Sequence, residues 1–147
     1  MPLTTEALLD VNVLIASVFA DHPHCGRARQ FVERLEHFYT CPTTQGGFLR
    51  FATRPWKDNC GVEQPPRLSM ADAQTTLKKL TATDGHVFLP DDVAFTDLCL
   101  RSMSGHRQWT DAYLLRLARR NNMKLASLES RMTNLDDPES PVLQVLS

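Results

Sequence analysis

The chain has 147 residues, which is enough for one domain over residues 1–147 with a buried core, and 16 basic against 17 acidic side chains leave a formal net charge of −1. A hydrophobic fraction of 42% and a charged fraction of 22% exclude a disordered chain, and the balanced charge means that any nucleic-acid binding must rest on a local patch. The absence of a basic leader, of a long apolar run and of CxxC spacing predicts a cytoplasmic protein with free thiols and no membrane span.

In the N-terminal half, short apolar strands alternate with helices. The predicted elements are a strand at 6–10, a helix at 11–20, an amphipathic helix within 22–38, a strand at 38–42, a helix at 43–54 and a loop at 54–68. The amphipathic helix has apolar residues at helical spacing: Ala28, Phe31, Val32 and Leu35. Pro55 ends the helix before it, because the residue that precedes a proline is disfavoured in helical conformation.

The C-terminal half repeats this alternation. The predicted elements are a helix from residue 70 with Ser69 as its N-cap, a strand at 86–90, a short helix at 92–101, a helix at 109–122 capped by Thr110, a strand at 123–129 and a weak strand at 141–147. Strands that alternate with helices favour an α/β fold with a central parallel sheet of four to five strands, covered by helices on both faces.

Three acids fall where such a sheet places its ligands, outside the carboxyl ends of the strands. Asp10 ends the first strand, Asp111 stands at the first position of the Thr110-capped helix, and Glu129 ends the fourth strand. Singly, each acid has a structural explanation, as a turn residue, a helix-dipole partner or a solvated loop acid. Together they are better explained by a shared divalent cation, which neutralises their mutual repulsion. We expect the carboxylates of Asp10 and Asp111 to lie roughly 4–6 Å apart.

Three segments resemble one known family in order along the chain, from about residue 8 to residue 132. "LLDVNVLIA" begins at Leu8, "TTQGGFLRFAT" at Thr43 and "GHRQWTDAYLLRLARRNNMKLASLE" at Gly105. They are similar to the PIN domain, in particular to the VapC-type ribonuclease toxins of bacterial toxin–antitoxin pairs. The resemblance implies a three-layer parallel α/β fold with the first strand central, and a homodimer that binds a small antitoxin protein.

The resemblance also implies a metal site. Asp10 and Asp111 match acids of the family motif, and Glu129 stands where the family usually has Asp; these three would hold Mg²⁺ or Mn²⁺. Gln45 stands at the family's remaining acid position and cannot carry a charge. Asn12 and Thr110 match the family's small polar neighbours of the site. The implied reaction is endonucleolytic cleavage of an RNA phosphodiester by a metal-activated water.

Two other functions stay open at this stage. One is a catalytically weakened PIN-fold module that binds RNA or an antitoxin, because Gln45 replaces an acid. The other is a phosphohydrolase of the haloacid-dehalogenase kind with Asp10 as nucleophile, although Asn12 stands where that chemistry usually needs a second Asp. Asp91 and Asp92 follow the third strand and are minor candidates for the missing acid.

Basic residues near the acids are candidates for phosphate contacts. We assign this role to Arg50, one helical turn or so past Gln45, and to His106 and Arg107, just before Asp111. Trp109 has two interpretations, stacking on a base or burial beside the helix start, and burial is the favoured one.

Overall fold

The structure is a computed structural model that describes residues 3–100 and 102–146. Its elements are β1 (Glu6–Leu9), α1 (Val11–Val18), α2 (Cys25–Arg34), β2 (His37–Thr40), α3 (Pro42–Thr53), β3 (Trp56–Lys57), β4 (Glu63–Gln64), α4 (Met70–Thr81), β5 (His86–Phe88), α5 (Trp109–Arg120), β6 (Lys124–Ser127) and β7 (Leu143–Val145). None of the helices in these ranges is long and apolar enough to cross a membrane.

A five-stranded parallel sheet is the centre of the structure, as predicted. The strand order is β5-β2-β1-β6-β7, so β1 is the central strand and the chain winds outward from it in both directions. The reversal of winding next to β1 leaves a crevice outside the carboxyl ends of β1 and β6. The register pairs Leu9 of β1 with Ala126 of β6, which brings the residues after both strands to the same crevice.

Apolar residues cover both faces of the sheet, and helices lie on both. On one face, Ala7, Leu9 and Phe38 pack with buried residues of α1 to α4. On the other face, Leu8 and Leu125 pack with the apolar side of α5. Strand residues alternate between the two faces because successive side chains point in opposite directions. The three-layer prediction is therefore confirmed.

Helices α1 and α3 cross in close contact beside the crevice. A Cβ atom at Gly47 of α3 would lie 2.6 Å from Cγ2 and 3.2 Å from Cγ1 of Val11, the first residue of α1. Only the absence of a side chain at Gly47 allows this approach. Because Val11 follows Asp10 directly, the contact also sets the position of the Asp10 backbone.

The α4 prediction is confirmed in detail. Ser69 is the N-cap, and its Oγ accepts a hydrogen bond from the backbone N–H of Asp72 at 3.0 Å. The preceding segment, predicted as a loop, also contains the short antiparallel pair β3 and β4. A further 3-10 helix at Ser130–Leu135 had no sequence prediction.

Two helix predictions in the C-terminal half are wrong. Within residues 92–100, the structure has one 3-10 turn, at Phe95–Asp97, and no α-helix; Arg101 lies outside the described residues. The buried residues here are Val93 and Leu98, and a spacing of five does not keep two side chains on one helical face.

The start of α5 also differs from the prediction. This helix begins at Trp109, with Gln108 as its N-cap residue, so Thr110 does not cap it. A 3-10 turn at His106–Gln108 runs directly into α5, and the backbone is already helical before Thr110. Asp111 is consequently the third residue of the helix and not the first, and it remains in the first turn.

Candidate metal and nucleic-acid site

Asp10 lies at the carboxyl end of β1 and is only 6% exposed. Its backbone N–H donates to the carbonyl of Ala126 on β6 at 2.9 Å, which extends the strand pairing to the edge of the sheet. Its Oδ1 accepts from the backbone N–H of Val11 at 2.7 Å and so caps helix α1. The same carboxylate therefore ends the strand and begins the helix, which explains its place inside an apolar run.

Ser127, the last residue of β6, joins the residues around Asp10. Its Oγ donates to Asp10 Oδ2 at 2.7 Å, and it accepts from the backbone N–H of Glu129 at 3.0 Å and from Asn12 Nδ2 at 3.3 Å. One donated and two accepted bonds use the full capacity of a hydroxyl group. Ser127 therefore orients the Asp10 carboxylate and the backbone that carries Glu129.

Asn12 is a positioning residue in the same network. Its Oδ1 accepts from the backbone N–H of Leu128 at 3.1 Å, while its Nδ2 reaches Ser127. Both ends of the amide are thus tied to the chain just after β6. Asn12 therefore links the first turn of α1 to the segment that carries Glu129.

Asp111 approaches the crevice from α5, on the other face of the sheet. Desolvation, together with the negative charges of Asp10 and Glu129, raises the pKa of its carboxyl from 3.8 to about 6. Burial also raises the pKa of Asp10, against the opposing effect of its hydrogen bonds from Ser127 and Val11, and the Glu129 charge contributes a further rise. The three carboxylates are therefore close enough for mutual repulsion.

Glu129 lies beyond β6 and begins the 3-10 helix at Ser130–Leu135. Its Oε1 accepts from the backbone N–H of Arg131 at 3.0 Å and lies 3.9 Å from Arg131 Nε. Its side chain is 44% exposed, so a change of its conformation toward the crevice would not disturb the packing of the core. Glu129 is the least constrained of the three acids.

The donor set fits a cation that keeps part of its water shell. In the described residues, no group of three His, Cys, Asp or Glu side chains is assembled to hold a metal ion. Mg²⁺ binds readily through one or two carboxylates and completes its octahedron with water. The buried Asp10 and the half-buried Asp111, both with raised pKa values, suit such an ion because its charge relieves their repulsion.

Gln45 lies in a separate hydrogen-bond chain on α3. Its Nε2 donates to Thr40 Oγ1 at 3.0 Å, and Thr40 Oγ1 lies 2.7 Å from His86 Nε2. Among the described residues, no hydrogen bond joins Gln45 to Asp10, Asp111 or Glu129. The sheet register nevertheless places Thr40 beside Leu9, one strand spacing of about 4.8 Å from the residue before Asp10.

The predicted phosphate contacts lie on two different elements, α3 and the 3-10 turn before α5. Arg50 is exposed on α3 and folds back toward Gly46, whose added Cβ would lie 3.3 Å from Arg50 Nη1. His106 and Arg107 are exposed in the 3-10 turn just before α5. Thr110 is likewise exposed, in the first turn of that helix.

The favoured interpretation of Trp109, burial, is wrong. Its side chain is 43% exposed, although the core residues of α5 begin only three positions later. The first position of the helix lies beyond the edge of the sheet, so the sheet does not cover the indole ring. Its role is argued below.

Asp91 and Asp92 have partners elsewhere. Asp91 Oδ2 accepts from Thr43 Oγ1 at 2.7 Å, and Asp92 Oδ2 lies 3.6 Å from Nε of Arg120 in the last turn of α5. The last turn is the opposite end of that helix from Asp111. These contacts argue against either acid as a substitute for the charge that Gln45 lacks.

The structure defines a three-layer α/β domain with an acidic site at the carboxyl edge of its parallel sheet, where the winding reverses. The PIN domain model matches residues 7–138, and the chain belongs to the PIN domain family. This membership excludes the alternative of a haloacid-dehalogenase-like phosphohydrolase.

Several curated proteins of Mycobacterium tuberculosis are similar to this chain over most of their length. Ribonuclease VapC38 is 38% identical over 140 residues, covering 92% of this chain and 95% of that protein. Ribonuclease VapC29 is 38% identical over 129 residues, with coverages of 87% and 89%. A chain in the crystal structure of VapBC2 from Rickettsia felis, bound to a DNA fragment from their promoter, has a similar fold. It aligns with a TM-score of 0.66 over 97% of this chain and 99% of that chain. At 11% identity, this likeness shows the fold alone.

Proposed function

We propose that this chain is a Mg²⁺- or Mn²⁺-dependent endoribonuclease and the toxin component of a type II toxin–antitoxin pair. The observation that carries the proposal is the position of Asp10 and Glu129 just beyond the paired strands β1 and β6, with both charges contributing to the raised pKa of Asp111, about 6. Perturbed carboxylates of this kind concentrate at functional sites. Membership of the PIN family and the named ribonucleases among its relatives support the same activity.

The proposed ligands are Asp10 and Asp111, directly or through water, with Glu129 as a third donor. A divalent cation bound here supplies positive charge for a phosphate oxygen and lowers the pKa of a bound water. Asp10 accepts hydrogen bonds from Ser127 and Val11, so its carboxylate is held in one orientation. Asp111 loses its proton near pH 6, above which it can act as a ligand. Thr110 and Asn12 are proposed as the polar neighbours that support these acids.

The negatively charged phosphates of RNA are repelled by the carboxylates of this crevice. Arg50, His106 and Arg107 are the proposed phosphate contacts, since they are exposed hydrogen-bond donors on α3 and in the turn before α5, and the two arginines are positively charged. Phosphate contacts position the strand without reading its sequence, so they leave open which RNA is cut.

Removal of divalent metal tests the activity. Purified protein should cut a structured RNA internally with Mg²⁺ or Mn²⁺, and chelation should abolish the cleavage reversibly. RNA that is bound but never cut, with either metal over a wide concentration range, would support the weakened binding module instead.

Substitution of Gln45 by Glu tests its place in the site. Glu has nearly the same shape, and an added carboxylate near Asp10 should strengthen the attraction for a divalent cation, lowering the metal midpoint of RNA cleavage roughly threefold to tenfold. Gln74→Glu is the matched control. Gln74 lies on α4 and, together with Lys78, lines the same groove as Gln45. An unchanged midpoint with a lowered melting temperature would remove Gln45 from the site.

The proposed partners are a small antitoxin, encoded separately, and a second copy of this chain, with the cytoplasm as the proposed location. The VapBC2 structure is a complex of that kind in another organism, and the PIN family resemblance supports the same arrangement here.

We expect a homodimer at micromolar concentration in sedimentation experiments; a monomeric mass would contradict it. The whole chain is proposed to act as a single PIN domain.

A further inference from the structure

Two exposed aromatic side chains form a surface beside the acidic crevice. Trp109 is 43% exposed and Phe95 is 55% exposed. Their ring centroids are 6.5 Å apart at an interplanar angle of 67°, an edge-to-face contact. We call Trp109 and Phe95 the aromatic pair.

A buried ring supports the aromatic pair from below. Phe95 stacks on Tyr113 with centroids 4.8 Å apart and an interplanar angle of 27°, and Tyr113 is only 2% exposed. Tyr113 belongs to the core that packs α5 on the sheet. The exposed rings are therefore held on a rigid base, and little conformational entropy would be lost when a flat ligand stacks on them.

The aromatic pair and Asp111 lie at the same end of helix α5. Trp109 and Asp111 are the first and third residues of α5, so their Cα atoms are about 5 Å apart and their side chains leave the helix on opposite sides. A polynucleotide whose phosphate lies at Asp111 would pass over this first turn. The exposed His106 and Arg107 lie in the 3-10 turn just before this first turn, and the charge of Arg107 is complementary to that of a phosphate.

We propose that the aromatic pair stacks an unpaired RNA base one or two nucleotides from the phosphate held at Asp10 and Asp111. This inference rests on the proposed ribonuclease function and assigns a base-binding position to its nucleic-acid surface. A paired base has both faces covered by its neighbours in the helix, whereas an unpaired base can stack on an aromatic side chain. Exposed rings, a rigid base beneath them and flanking cations are the features that such stacking uses.

Binding of RNA to an uncut complex tests this proposal. In an Asp111→Asn background, the affinity for a fluorescently labelled unpaired oligoribonucleotide is measured by anisotropy. Trp109→Ala should weaken binding about fivefold to a hundredfold, the range for one stacked base, and Trp109→Phe should restore most of the loss. Phe88→Ala is the matched control, because Phe88 is a similarly exposed ring on β5 and should bind RNA as the background does.

The emission of Trp109 gives a direct signal of stacking. Trp56→Phe removes the other tryptophan and keeps an aromatic ring beside Arg67, so that the remaining emission comes from Trp109. Saturating unpaired RNA should quench this emission, and a duplex of the same sequence should quench it far less.

Two results would overturn the proposal. One is RNA that binds fully with unchanged Trp109 emission and equal affinity in Trp109→Ala. The other is a Trp109→Ala variant that loses self-association while keeping RNA affinity, which would assign the aromatic pair to a second copy of the chain. Cleavage by the wild-type protein is measured separately, so quenching without any cleavage would contradict the ribonuclease proposal alone.

Discussion

Asp111→Asn is expected to reduce RNA cleavage at least about 100-fold and to leave the metal-free protein as stable as the wild type, or more stable. Asn keeps the size and one oxygen of Asp but removes the charge that would bind the cation. In the absence of metal, that same charge is repelled by Asp10 and Glu129. Cleavage assays with Mg²⁺ and thermal melts with a chelator measure the two effects.

The pH dependence of stability provides a second measurement on the same variant. The pKa of Asp111 is raised from 3.8 to about 6 in the folded protein, so the folded state holds this proton more tightly than the unfolded state does. The protonated Asp111 carboxyl therefore stabilises the folded protein at low pH. This contribution is lost as pH rises from about 4 through 6. A shift of this size is about 3 kcal/mol before solvent screening and roughly 1 to 2 kcal/mol at a half-buried position. Asp111→Asn should remove this part of the pH dependence.

Metal binding should follow the same proton. Below pH 6 the proton competes with the cation for Asp111, so the metal concentration needed for half-maximal cleavage should rise as pH falls. Raising the metal concentration should restore activity in this range. A metal midpoint independent of pH between 5 and 7 would show that Asp111 is not a ligand.

Asp72→Asn is the matched control for these measurements. Asp72 is also the third residue of its helix, α4, and it is exposed and far along the chain from the acids. Its loss should cost only the helix-dipole interaction, about 0.3–1 kcal/mol, with no effect on cleavage. If Asp111→Asn lowered the stability of the protein by as much as the loss of a helix cap does, the role of Asp111 would be to stabilise the helix and not to bind a metal.

Gly47→Ala is expected to destabilise the protein by about 1–3 kcal/mol and to lower its cleavage activity. The added Cβ would lie 2.6 Å from Val11 Cγ2 and 3.2 Å from Cγ1, so rotation of the Val11 side chain does not readily relieve both contacts. Alanine favours a helix over glycine by about 1 kcal/mol, which offsets part of the cost. Any movement of α1 also displaces Asp10, whose Oδ1 is bonded to the Val11 N–H.

The neighbouring glycine provides the control. A Cβ at Gly46 meets the end of the flexible Arg50 side chain at 3.3 Å, so Gly46→Ala should be neutral or stabilising by up to about 1 kcal/mol. Val11→Ala combined with Gly47→Ala should recover part of the lost stability and activity. Equal melting temperatures for Gly47→Ala and the wild type would contradict the close packing of α1 on α3.

Three elements show which predictions a local pattern supports. The Ser69 cap, the helix from residue 70 and the parallel sheet follow from residue type and spacing along the chain, and all are confirmed. The helix at 92–101 and the Thr110 cap are wrong for different reasons. The buried residues Val93 and Leu98 do not share one helical face, and a 3-10 turn before Thr110 already begins the helical backbone.

Within the site, the sequence singled out the acids but not their support. Ser127 lies within the predicted strand at 123–129, and its hydroxyl bonds Asp10, Asn12 and the Glu129 N–H. A serine that ends a strand is too common to identify such a role. Its partners lie more than 110 positions away in the chain, apart from Glu129, and only the pairing of β1 with β6 brings them together.

The sequence alone was sufficient for the α/β class and the PIN family resemblance, and it singled out the three candidate acids, because each of these depends on residue type and order along the chain. The tertiary structure decided which groups share an environment. It raises the pKa of Asp111 through burial and neighbouring charges, places Gln45 in a hydrogen bond with Thr40, and exposes Trp109 beside the crevice. These properties depend on distances and solvent access between segments far apart in sequence, and they exist only once the sheet and its two helical layers have assembled.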